Sequence, residues 1–291
     1  DVAQFGGYTA HFQVIKLAHG ATGSATVVSS SSPLPVTIGT GLTATISGFT
    51  GTINVQGVVS GTPVPVSGTV TTTGSTLNIT GSCTLNTSGV TWNNITTTAT
   101  NTTTLTSNLS IGGLLTITGT TTINRTTAET VTCAGGMTIN AQLSGTAEII
   151  WTGGTWTSNG NVFSSNLTIN GNVTVSGSVY KYGGILTYTS GTVTTTGSTL
   201  FVWQLNSTLN TNGVTWNNVT FGGGGSQTCT LTSNLTVNGL LSVAASTTTT
   251  INRTTAETIT CAGGMSINAA LSGSADITWT GGTWTQGATT Y

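Results

Sequence analysis

Residues 122–136 read TINRTTAETVTCAGG, and residues 250–264 read TINRTTAETITCAGG, 128 positions later. The heptapeptide WTGGTWT opens at Trp151 and again at Trp279 with the same offset of 128. Upstream, GVTWNN opens at Gly89 and Gly213, an offset of 124. The change from 124 to 128 implies four inserted residues between these landmarks, and the run FGGGGSQ at 221–227 is a natural loop for part of them. A chain this self-similar is built by stacking like units rather than by closing one irregular core.

A shorter motif lies inside the long one. SNLSIGG starts at Ser107, SNLTING at Ser165 and SNLTVNG at Ser233. Short alternating segments start near Val90, Leu109, Val131, Ile149, Leu167, Leu186, Leu200, Val214, Leu235, Ile259 and Ile277. They span 187 residues in ten steps, a mean of about 19, which suits one coil of a β-solenoid.

Strand geometry supports that reading. In NLTINGNVTV, Leu167 and Ile169 fall on one side of a strand, Thr168 and Asn170 on the other. One such strand cannot bury its apolar side alone. Stacked coils about 4.8 Å apart can, with Leu, Ile and Val inside and Thr or Asn outside. Glycines at NG, SG and GG permit the corners. The expected fold is therefore all-β, a parallel β-solenoid fibre, with residues 74–291 as repeats. A β-sandwich array is the alternative architecture. Uncharged exposed edges invite association, so capping or oligomerisation is expected, with a trimer as the leading form.

Composition narrows the functional classes. Only 3% of residues are charged, against about 25% in ordinary soluble domains. Four basic residues cannot make the phosphate-contacting stripe of a nucleic-acid binder. No apolar run reaches the length of a membrane-spanning helix, and no signal peptide is visible. With 36% hydrophobic residues and net charge −1, the chain is not composed like a disordered one. Cys83, Cys133, Cys229 and Cys261 form no CxxC pair, and His11 and His19 are the only histidines, so no metal or cofactor is expected. The cysteines read as small buried apolar residues, with a disulfide between neighbouring coils left open.

Residues 1–36 do not share the repeat. They read as a strand at 12–17, a glycine-rich turn, a second strand at 25–29 and an extended exit through Pro33 and Pro35. Residues 37–73 form a glycine-punctuated connector. Residues 13–36 resemble a short N-terminal motif of many tailed-phage virion proteins, of the form VxKLxxGxxGxxxxVxxxxPLPV. The repeats also look like those of parallel β-helix fibres and adhesins. The resemblance implies a fibre at the virion surface, held to capsid or tail proteins by an anchor containing Phe12, Val14, Lys16, Leu17, Pro33 and Pro35.

Other candidate chemistry is sparse. Glu129 and Glu148 are 19 residues apart, and Glu257 and Asp276 repeat that spacing, so each pair would stack on adjacent coils. Paired carboxylates suit glycoside hydrolysis. Local ion pairs of Arg125 with Glu129 and Arg253 with Glu257 are the favoured reading, and the chain is not expected to be an enzyme. Among seven tryptophans, Trp156 and Trp284 lie between small polar neighbours and are the best candidates for exposure and host-glycan contact, although packing inside the fibre is favoured. Asn-X-Thr/Ser triplets such as those at Asn94, Asn166 and Asn234 read as chance products of the composition. The second WTGGTWT stops at QGATTY, so the native polypeptide is expected to continue past Tyr291 or to abut another subunit there. A bacterial surface adhesin is the alternative function, and a polysaccharide-degrading fibre is the third.

Overall fold

The structure is a computed structural model. It describes residues 74–158, 165–181, 183–203, 206–223, 225–244 and 248–287, together with the backbone of short strands at 2–5, 8–11, 18–19, 26–27, 52–55, 64–65 and 162–163. The chain divides into two compact units, Asp1–Phe49 and Thr50–Tyr291. In the first unit, Val2–Phe5 pairs antiparallel with Tyr8–His11, and Ala18–His19 pairs antiparallel with Thr26–Val27. The expected strand at 12–17 and the exit through Pro33 and Pro35 lie outside the described residues.

The second unit is a parallel β-solenoid of about ten turns, with no helix among the described residues. A typical coil carries three short strands separated by corners, whereas Glu148–Ser158 and Leu167–Lys181 run on through corners as single strands. Leu109–Ile111, Leu115–Ile117 and Thr121–Arg125 make one coil; Thr130–Cys133, Gly136–Ile139 and Leu143–Ser144 pair with them in the next. The ladder begins before residue 74, because Thr52–Val55 pairs with Thr76–Ile79 and Val64–Pro65 pairs with residues 85–86.

Alternation sets the interior. In Cys83–Asn86 and Leu109–Ile111, every second side chain is buried, and the apolar buried set is mainly Leu, Ile and Val with Cys, Met, Trp, Ala and Phe221. Each fully buried aliphatic contributes about 1.5–3 kcal/mol. At one corner the backbones of adjacent coils approach so closely that only glycine fits. A Cβ on Gly135 would lie 2.4 Å from the Gly113 carbonyl oxygen of the preceding coil.

The coil length is close to the reading from sequence but not equal to it. Register partners run Leu143, Phe163, Lys181, Val202, Phe221, Val243, Ile267, Gln286, so 143 residues cover seven steps, or about 20 per coil. The segment starts Leu109, Val131, Ile149, Leu167 and Leu186 are successive register partners on one face. Leu235, Ile259 and Ile277 are successive partners on another. Leu200 lies on the third face, so the steps on either side of it are shorter than a coil and pull the sequence average down to 19.

This change of face has a geometric consequence. Cys83–Asn86 lies in a column that runs on through Asn101–Leu105, Thr121–Arg125, Leu143–Ser144, Val162–Phe163 and residues 178–181 to Thr199–Val202 and Asn218–Phe221. Its counterpart in the second copy, Ser207–Asn210, stacks instead on Gly184–Ser190, in the column of Leu109–Ile111 and Thr130–Cys133. The long repeat therefore spans six coils and one further face. Equivalent residues of the two copies sit a third of a turn apart.

Candidate functional site

Coils must be held at their corners, where the strand ladders stop, and the SNL motif does this in both directions. The Ser107 hydroxyl accepts the Thr87 amide of the preceding coil at 2.7 Å, and the Asn108 side-chain oxygen accepts the Thr130 amide of the following coil at 3.0 Å. In the second copy, Ser233 accepts from Thr211 at 2.7 Å and Asn234 from Thr258 at 2.9 Å. Each contact satisfies a backbone donor that would otherwise lack a strand partner.

Asn94, Asn108, Asn124, Asn166, Asn172, Asn218 and Asn234 all accept a backbone amide of the next coil in this way, at 2.8–3.3 Å. All seven begin an Asn-X-Thr/Ser triplet. The triplets are thus not products of composition alone. Asparagine turns the corner, and Thr or Ser faces out two positions later. The residue between them is buried in six of the seven, and Arg125 is the exception.

The two glutamates at the TTAE turns are held locally. Glu129 accepts the amides of Thr126 and Thr127 at 2.9 and 2.8 Å and their hydroxyls at 3.0 and 2.7 Å. Glu257 does the same with Thr254 and Thr255. Amide and hydroxyl donation from Thr127 and Thr255 leads in holding each carboxyl down at about 2, the reverse of what a proton donor at neutral pH needs. The expected Arg125–Glu129 and Arg253–Glu257 ion pairs do not form. Arg253 pairs across coils with Asp276. Four donors within three residues outcompete one long flexible arginine. Glu148 is the register partner of Thr130 and takes the Thr168 hydroxyl, while Glu129 is turned to the opposite, buried side. The two carboxylates do not converge.

Trp156 is fully buried, its ring 5.8 Å from that of Trp151, so the favoured packed reading holds for it and its candidacy for exposure and glycan contact falls. Gly154 bends the strand and returns Trp156 to the inner side. Trp284 is 43% exposed and lies 5.8 Å from Trp279. Cys83, Cys133, Cys229 and Cys261 are buried and unpaired, and none is the register partner of another. Burial pushes the Cys133 thiol up to about 12 and also raises Cys83 and Cys229. Among the described residues, no three His, Cys, Asp or Glu side chains are placed to hold a metal ion, and no helix is long and apolar enough to cross a membrane.

Two features escaped the sequence reading, and both lie in the strand that ends at Lys181. Lys181 points inward and is fully buried, with its ammonium donating to the Ser165 carbonyl at 2.7 Å and to the Gly183 carbonyl. Burial pulls it down to about 7. Its neighbour Tyr180 points outward and stacks on Phe201, the register partner in the next coil, with centroids 4.3 Å apart and planes within 5°. Trp203 meets both rings edge-on at 6.2 Å. The signal was parity: with Leu200 and Val202 inward, Phe201 must face out.

Phe12, Val14, Lys16, Leu17, Pro33 and Pro35 lie outside the described residues. Comparisons with known proteins give no match to a family model, to a curated protein or to a solved structure.

Proposed function

We propose that this chain is a structural shaft, the β-solenoid of a trimeric fibre at the surface of a tailed-phage virion. The observation that carries the reading is where its polar side chains go. Ser107, Asn108, Ser233, Asn234 and the other corner asparagines serve to hold one coil to the next. A chain whose polar groups are committed to its own axis is built to bear length. The resemblance of residues 13–36 to a virion motif supports the phage setting, with that segment as the anchor to capsid or tail proteins.

Immunogold electron microscopy of the source particles, with antibody raised against residues 74–291, tests the setting. Gold on projections at the particle surface is expected, and particles that carry none of the antigen would sink it. Light scattering of the purified full chain tests the assembly, with a mass three times 29.1 kDa expected. A monomer at all concentrations removes the trimer.

A further inference from the structure

We propose that Tyr180, Phe201 and Trp203 form a platform that binds the rings of a neutral polysaccharide. The outward positions of this solenoid are held almost throughout by Thr, Ser and Asn. Here two successive coils carry stacked aromatic rings, and a third ring closes the cluster edge-on. All three are half-buried, so part of each ring meets solvent.

The cluster has a prepared seat. A Cβ on Gly223 would lie 2.4 Å from the Trp203 indole, so only glycine lets the next coil pass beneath that ring. Gly223 belongs to the turn that is longer in the second copy, where residues 222–226 replace the three residues 98–100. The first-copy counterparts of Phe201 and Trp203 are Asn78 and Thr80, which are polar. Insertion, glycine and aromatic residues therefore occur together, once, where a purely structural repeat would have kept Asn and Thr.

The chemistry around the rings selects the ligand. The C–H face of a pyranose packs against an aromatic face, and its hydroxyls need neutral donors and acceptors at the rim. Ser178, Thr199 and Thr220 supply them: Ser178 pairs with Thr199 in the strand ladder, and Thr220 is the register partner of Phe201. Lys181, the cation of the same strand, is turned into the core, so among the described residues this strand offers no outward charge to an acidic sugar.

The test is calorimetric titration of the full chain with linear hexasaccharides of glucose, galactose, rhamnose and N-acetylglucosamine. At least one is expected to bind. Phe201→Thr, which copies its neighbour Thr220, and Trp203→Thr should each weaken that binding about tenfold or more, with the thermal unfolding profile of Phe201→Thr preserved. Leu114→Ala, at an exposed apolar residue outside the cluster, should leave it unchanged. Failure of all four sugars to bind, equal affinity in the platform variants, or a fall in the assembly mass of Phe201→Thr would each overturn the proposal, the last by making this face a contact between chains.

Discussion

The two long copies share their SNL corner and differ in their interiors. In the first, Thr97, Asn101, Thr103 and Thr121 are buried and joined: Thr97 to Thr121 at 2.8 Å, Thr103 to the Asn101 oxygen at 3.3 Å, and the Asn101 amide to the Ala99 carbonyl at 2.8 Å. In the second, the counterparts are Phe221, Gln227, Cys229 and Thr249, with one bond from Gln227 to Thr249 at 3.3 Å. The Gln227 side-chain oxygen has no partner among the described residues. One coil geometry thus encloses a hydrogen-bonded filling in one place and a mainly apolar one in another. The corners define the coil, and the interior has only to be filled and satisfied.

If the second filling is apolar packing, Phe221→Thr should be the costliest change, about 3–4 kcal/mol, because it leaves a cavity. Hydrogen exchange of the flanking amides reads this, and a cost no larger than that of Thr97→Ala would erase the contrast. Asn101→Ala should cost about 1–3 kcal/mol by removing the oxygen acceptor of the Thr103 hydroxyl and the donor to the Ala99 carbonyl, and Gln227→Ala should cost less. The SNL corner should show no such difference. Asn108→Ala and Asn234→Ala should each cost about 1 kcal/mol, and unequal losses would mean that the copies differ at their corners too.

Titration tests the same comparison through pH. Glu129 and Glu257 ionise near 2 when folded, against 4.5 ordinarily, so their contribution is complete above 4.5 and is lost as pH falls toward 2. Gln variants in either copy should flatten that acid limb alike. Lys181, between the copies, works on the other side of neutrality. Its folded value near 7 lies below the ordinary 10.5, so stability should rise as pH climbs through that window. Lys181→Met should abolish the rise, and an unchanged profile of melting temperature against pH would contradict the burial of this amine.

The fold was largely legible because period and parity are local. Leu109, Val131, Ile149, Leu167 and Leu186 were spaced as coil partners, and they are. The face on which a strand lands depends on corner lengths summed over many coils, so the move at Leu200 was hidden. The candidate sites were less legible. Trp156 turned inward through a bend that alternation does not foresee. The Glu129 contacts depend on where two amides point, not on the nearness of Arg125. The partnership of Tyr180 with Phe201 across 21 residues needed the register itself.

Because a copy spans six coils and one further face, successive copies start on different sides. A mark carried once per copy would appear on each flank of the prism in turn and return to its starting azimuth only with the fourth. Rods assembled from such copies would have no front or back, and any feature written into the repeat would wind along them as a slow spiral.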